Sequence, residues 1–205
     1  METSLEKDIQ LHKVLVLGDV GTGKTSILRR YISDEYSIVF KSTLGINAPF
    51  KLINYDDNMD IKLHFWDVSG IERFRGNTQR YYKEASAVFI TCDVNRPSTL
   101  DGVVKWKTDF NNKFTDFNSE LIPIILLVNK IDLFDDPDSN IEKDNYCGKT
   151  HKEMNAFCKE NKFIAWFPVS AKENINIDTA VNSLVTEILS NREKVSYDFN
   201  RRNTQ

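Results

Sequence analysis

The residues Gly18-Asp19-Val20-Gly21-Thr22-Gly23-Lys24-Thr25, followed by Ser26, fit the spacing G-x-x-x-x-G-K-[ST]. That spacing suits binding of a phosphate chain. Backbone N–H groups from Gly18 to Ser26 can converge on an anion, a following helix N-terminus adds positive potential, Lys24 neutralises phosphate charge, and the Thr25 hydroxyl can ligate Mg²⁺. The context is the one this chemistry needs. A β-branched and leucine-rich run, KVLVL (13–17), precedes the glycines, and SILRRYI follows as a helix.

Two further clusters follow apolar runs. Asn129-Lys130-Ile131-Asp132 comes after IPIILLV (122–128), and Ser170-Ala171-Lys172 ends the run IAWFPVS (164–170) and continues beyond it. Such runs, with AVFITCDV (87–94), are continuous rather than alternating, as strands covered on both faces are. Residues 61–66 instead alternate, Ile61/Leu63/Phe65 against Lys62/His64/Trp66, and the turn Tyr55–Asn58 joins them to a partner strand near 46–54. Pro49 keeps that partner at an edge. Helices are predicted near 98–114, 149–160 and 177–190, the last carrying Ile177, Ala180, Val181, Leu184, Val185, Ile188 and Leu189 on one stripe. Alternating strands and helices predict an α/β fold: a mostly parallel six-stranded sheet, one antiparallel edge strand, and helices on both faces. Right-handed crossovers bring the loops after the strands to one edge, where ligands bind.

A chain of 205 residues with 27 basic and 30 acidic groups suits one domain without the basic field that nucleic-acid binding demands. No apolar run approaches the ~20 residues of a membrane helix. Cys92, Cys147 and Cys158 lack the spacing of a zinc site or disulfide framework and read as reduced thiols. The N-terminus has neither a signal-peptide core nor the glycine at position 2 that myristoylation requires, so a cytoplasmic protein is expected; a monomer is expected as well. The boundaries expected are an extension at 1–10, a domain at 11–190 and a flexible tail at 191–205, with 135–145 a surface loop.

Three motifs in order at three strand ends resemble the Ras-superfamily small GTPases, and Trp66-Asp67-Val68-Ser69-Gly70-Ile71-Glu72-Arg73-Phe74 resembles the Rab form of their second switch, W-D-x-x-G-Q-E-R-F. The Rab resemblance spans about residues 11–190. KWKTDFNNKF (105–114) and FCKENKFIAWFPVSAKENINI (157–177) are most similar to the Rab subgroup of lysosome-related organelles and melanosomes. The resemblance implies a single P-loop GTPase domain holding GTP or GDP with Mg²⁺. Asp132 would accept hydrogen bonds from the guanine edge, Asn129 would hold the loops, Lys130 would lie against the ring, and the Ala171 N–H of Ser170-Ala171-Lys172 would meet the base oxygen. Adenine would be rejected, because buried partners would go unpaired. Tyr36 would pack on the guanine, Thr43 in Ser42-Thr43-Leu44-Gly45-Ile46 would close on Mg²⁺ and γ-phosphate, Asp67 would hold Mg²⁺ through water, and the Gly70 N–H would meet the γ-phosphate. A P-loop kinase or ATPase is disfavoured by N-K-I-D and by the lack of an arginine-rich lid.

Four departures stand out. Ile71 occupies the place of the family's catalytic glutamine, which orients the attacking water, so slow hydrolysis is expected; a GTP-loaded effector platform without hydrolysis is the alternative. Val20, at the third loop position, can crowd an arginine finger from a GTPase-activating protein. Of the three effector-reading aromatics, Trp66 and Tyr81 match and Ala48 replaces the first; Phe50, on the same strand face, is the expected substitute, with Ile46 beside it. Exchange factors and effectors are the implied partners at these switches. Rabs end in prenylated cysteines, and no cysteine follows Cys158 here. The chain as written should not accept a prenyl group, and whether its natural C-terminus continues stays open. With a lipid anchor, the expected location is the cytosolic face of endosomal or lysosome-related membranes.

Overall fold

The computed structural model describes residues 7–39, 41–71, 78–114, 122–137, 139 and 141–202, with backbone alone from 192. Glu72, Arg73 and Phe74 of the second-switch motif lie outside the described residues. In chain order the elements are β1 (Asp8–Gly18), α1 (Lys24–Ser33), β2 (Ile46–Asn47), β3 (Phe50–Asn54), β4 (Met59–Val68), α2 (Gln79–Tyr82), β5 (Ala87–Asp93), α3 (Ser98–Lys113), β6 (Ile124–Asn129), α4 (His151–Glu160), β7 (Ala165–Val169) and α5 (Ile177–Arg202).

One sheet runs β2-β4-β1-β5-β6-β7, with β3 also on β4. All pairings are parallel except those of β2 and β3 with β4. The sheet therefore has seven strands rather than the six expected, because the antiparallel edge is divided at Ala48-Pro49. Proline has no N–H to donate to the ladder. The register nevertheless runs through the break: Asn47 faces Asp67, Phe50 faces His64, and the Phe65 N–H donates to the Pro49 carbonyl at 2.9 Å.

The continuous apolar strands are covered on both faces, as their patterns require. Leu15, Leu17, Val88, Ile90, Leu126 and Val128 belong to a core with Trp106 and Phe110 of α3 and Met154 of α4. Their neighbours Val14, Val16, Phe89, Ile125 and Leu127 pack with Ile27 and Leu28 of α1 and the expected stripe of α5. Two boundaries differ from the expected ones. β1 starts at Asp8, not near Lys13, because residues 8–13 pair with β4 alone beyond the start of β5. The backbone stays helical to Arg202, past the boundary at 191, and the segment NREKVSYDFNRR contains no glycine or proline to stop it.

Candidate functional site

Four strand ends define the site: β1 ends in the glycine loop, β4 in Asp67 and Val68, β5 in Asp93, and β6 in Asn129. Buried polar side chains concentrate there: Thr22, Lys24, Asp67, Ser69, Thr91, Asp93, Thr99, Asn129 and Ser170. A core polar group has to be hydrogen-bonded, so such a concentration marks a built site rather than a packing accident.

The loop from Gly18 to Gly23 folds over Lys24, whose ammonium donates to the Gly18 carbonyl at 2.8 Å and the Asp19 carbonyl at 2.9 Å. Burial lowers the Lys24 pKa to about 8, against the opposing pull of Asp67 and Asp19. Asp19 is fixed from outside, its carboxylate accepting the Trp106 indole N–H at 2.9 Å. The Thr22 hydroxyl donates to the Asp19 carbonyl at 2.9 Å and meets the Thr91 hydroxyl at 2.6 Å. Gly23, at φ 95°, is obligatory on two grounds: that backbone conformation strains other residues, and a Cβ there would lie 2.1 Å from Asn129 Nδ2.

Below the loop, Thr25 Oγ1 donates to Asp67 Oδ2 at 2.5 Å and lies 2.9 Å from Thr43 Oγ1. Asp67 is fully buried, and burial raises its pKa against the hydrogen bond from Thr25 and the charge of Lys24. Among the described residues its Oδ1 has no hydrogen-bond partner. No group of three His, Cys, Asp or Glu gathers among the described residues, so a cation here would draw on two hydroxyls and one carboxylate. A small hard-oxygen set with an orphaned buried carboxylate oxygen fits Mg²⁺, which keeps several waters and takes few protein ligands.

Gly70 lies against the loop so closely that a Cβ would sit 2.4 Å from the Val20 nitrogen. The Ile71 N–H donates to the Ser69 hydroxyl at 3.4 Å. A cleft of about 210 Å³ is lined by Val20, Gly21, Gly23, Lys24, Thr25, Ser26, Tyr36, Thr43, Ser69, Gly70 and Lys130, with Ile71 not among its lining residues. Val20 is 37% exposed.

A second pocket of about 330 Å³ adjoins it through shared walls at Gly23, Ser26, Tyr36, Ile38 and Lys130, and adds Asn129, Asp132, Leu133, Ala171 and Lys172. Asn129, 1% exposed, joins the two: its Nδ2 donates to the Thr22 carbonyl at 2.9 Å and its Oδ1 accepts the Ala171 N–H at 3.2 Å. Asp132 Oδ1 accepts the Ser170 hydroxyl at 2.6 Å. Arg30 donates to the carbonyls of Ala171 at 3.0 Å and Lys172 at 3.1 Å, holding that loop from α1. The structure thus brings together every residue singled out in the three motifs, and Tyr36 and Thr43 with them.

The residues expected to face effectors divide. Ile46 and Trp66 pack against the core that contains Tyr81. Phe50 stands apart at 56% exposure with the Lys62 ammonium 4.2 Å over its ring, while the Lys13 ammonium lies 3.6 Å over Trp66. Sequence reasoning missed Asp93, Arg96, Thr91, Trp106 and Arg30. Asp93 had a usable signal, being the one charged residue in the run AVFITCD and its last, at the sheet edge where ligands bind.

A phosphate loop continuous with a base pocket, on this sheet order, is the architecture of a guanine-nucleotide switch, and residues 13–190 match the Ras family. The chain belongs to that family: it is a small GTPase, binding GTP and GDP with Mg²⁺ and hydrolysing GTP. The relatives are Rabs. The chain is 46% identical over 182 residues to the Ras-related protein Rab-32A of Dictyostelium discoideum, covering 88% of this chain and 79% of that one. It is 42% identical over 183 residues to Rab-32 of Mus musculus, covering 89% and 78%, and 38% identical over 186 residues to mouse Rab-7L1, covering 90% and 86%. Among the described residues no helix is long and apolar enough to cross a membrane.

Proposed function

We propose that this Rab-type GTPase is a membrane-trafficking switch whose own GTP hydrolysis is slow, and that it works on the cytosolic face of endosomal or lysosome-related membranes as a monomer. The named relatives, Rab-32 and Rab-7L1, and the resemblance carried by residues 157–177 support the location. One observation carries the slow chemistry: the polar apparatus around the phosphate cleft is complete, yet the residue after Gly70 is Ile71, which has no side-chain donor or acceptor.

In this reading the N–H groups of the loop and Lys24 hold the phosphates. Thr25 and Thr43, with Asp67 behind them, hold Mg²⁺, which when bound neutralises charge on the β- and γ-phosphates. The Gly70 N–H meets the γ-phosphate, and Asp132 with the Ala171 N–H reads guanine across Lys130 and Tyr36. Phe50 faces effectors, flanked by the half-buried Ile46 and Trp66, while Tyr81, expected among them, lies in the core. At position 71 the side chain offers no group to hold the attacking water, and phosphoryl transfer depends on that placement.

Ile71→Gln tests this. Single-turnover hydrolysis of bound GTP should rise about tenfold or more, ~1.4 kcal/mol of barrier, with little change in GTP affinity. An ordinary Rab rate in the wild type, unchanged by the substitution, would sink the reading. A wild type and a variant that both hold GTP without turnover support the alternative, a GTP-loaded effector platform.

A further inference from the structure

We propose that Asp93 is a positioning residue for nucleotide retention, a buried carboxylate that ties the base-reading loop to the phosphate loop through Lys130 on one side and Arg96 on the other. The inference rests on the reading of Lys130 as the lysine that lies against guanine.

The parallel ladder sets the geometry. Asp93 and Asn129 are register partners, the last residues of β5 and β6. One residue on, Lys130 takes a left-handed conformation, φ 72°, and its ammonium reaches Asp93 Oδ2 at 2.6 Å. Arg96, one turn after β5, donates its Nε to the same oxygen at 2.9 Å and its Nη2 to the Val20 carbonyl at 3.0 Å. That guanidinium also backs Gly21, whose Cβ, if present, would lie 3.3 Å from Nη2. The other carboxylate oxygen accepts the Asn95 N–H at 3.0 Å, and the Asp93 backbone is pinned by the Thr99 hydroxyl at 3.0 Å and the Cys147 thiol at 3.3 Å.

Asp93 is the fixed member of the group. Its side chain is 3% exposed, against 39% for Lys130 and 43% for Arg96. Two long cationic side chains that would otherwise sample many rotamers are each held by a carboxylate the fold cannot move. Their far ends touch the two halves of the ligand cleft, Lys130 lining both pockets and Val20 the phosphate side. A rigid acceptor that orders both lowers the entropy lost when nucleotide binds, and the gain appears in the dissociation rate.

The test is release of fluorescent GDP from the Mg²⁺-loaded full chain under excess unlabelled GDP. Asp93→Asn keeps the shape and removes the charge, and should speed release about tenfold. In double-mutant cycles the same substitution should add less than about twofold in the Lys130→Ala background and likewise in the Arg96→Gln background. A merely structural Asp93 would give the full acceleration in both backgrounds, and that result overturns the proposal, as does an unchanged rate in Asp93→Asn. Coupling to only one of the two cations overturns the strut. Should Asp93→Asn fail to fold, Arg96→Gln, on the exposed side, must itself speed release about fivefold or more and couple to Lys130→Ala; additivity of those two refutes the connection. A wild type that does not bind GDP sinks the nucleotide reading itself, whereas tight wild-type binding with no effect at Asp93 sinks the strut alone.

Discussion

Gly23→Ala adds one carbon at the point where phosphate loop and base pocket meet. The residue has φ 95°, and forcing an L-residue into left-handed backbone costs about 1–2 kcal/mol. The new Cβ would lie 2.1 Å from Asn129 Nδ2 and 3.4 Å from its Cγ, so the Asn129 amide must leave its place. Asn129 then loses its bonds to the Thr22 carbonyl and the Ala171 N–H, each worth roughly 1 kcal/mol, and Ala171 lines the base pocket. The combined cost is about 3–4 kcal/mol, a loss of two to three orders of magnitude in GDP affinity if it falls on the bound state. Titration of GDP followed by calorimetry measures it, with a thermal melt of the same samples to show how much falls on the fold. The contributions should not add: Asn129→Ser in the Gly23→Ala background should cost much less than Asn129→Ser alone, because the amide is already displaced. A Gly23→Ala protein within about fivefold of wild-type affinity and with an unchanged melting temperature would refute the reasoning, since neither strain nor the displaced amide could then be real.

Asp132→Asn should shift preference from guanine to xanthine nucleotides, because the amide offers a donor to the xanthine 2-oxo group; wild-type protein that binds ATP as tightly as GTP removes the basis for this. Lys24→Ala leaves phosphate charge uncompensated in the loop and should weaken GDP binding by well over tenfold, at least ~1.4 kcal/mol, which displacement of fluorescent GDP would show. Asp109 accepts the Thr78 and Tyr82 hydroxyls at 2.7 Å and pairs with Lys113; burial opposes ionisation there, but those bonds win and hold its pKa below the ordinary value. A folded pKa depressed below the unfolded one gives stability that is present above the unfolded value and lost as pH falls through the folded one. Asp109→Asn should therefore lower the urea midpoint at pH 7 and flatten its decline under acid, and equal acid sensitivity in both proteins would show that Asp109 contributes nothing to it.

The sheet was legible because its signals are local. A buried parallel strand announces itself as an unbroken apolar run, so AVFITCD and IILLVN needed no partner to be read. The motif residues were legible for a related reason: the spacing G-x-x-x-x-G-K-T encodes a turn and a helix start within eight positions. What the sequence does not show is contact across the fold. Trp106 reads as core, and it is core, yet its indole nitrogen fixes Asp19 from another element. Arg30 reads as the polar face of α1, and it holds the carbonyls of Ala171 and Lys172 far along the chain. The division at Ala48-Pro49 was missed because proline's effect on a ladder depends on which neighbour it faces, and that neighbour lies beyond a turn.

Those long-range contacts share a design that follows from the ladder. In a parallel sheet the strands end on the same side, so β1, β4, β5 and β6 deliver Gly18, Val68, Asp93 and Asn129 to one edge. The groups at that edge are buried by α1 and α3 from the two faces, and a buried polar group left unpaired costs more than its bond would contribute. Each loop is therefore driven to satisfy another: Asn129 meets Thr22, Thr22 meets Thr91, Trp106 meets Asp19, and Thr25 meets Asp67. Asp67 Oδ1 and the cleft between the loops are where this mutual satisfaction stops. In the proposed reading, nucleotide with Mg²⁺ would supply the missing partners, and the same residues that shape the cleft would set how long it holds its ligand. Among the described residues Ile71 joins the network only through its N–H on Ser69. Its replacement by glutamine should consequently alter the rate of the reaction while leaving the binding of the nucleotide almost untouched.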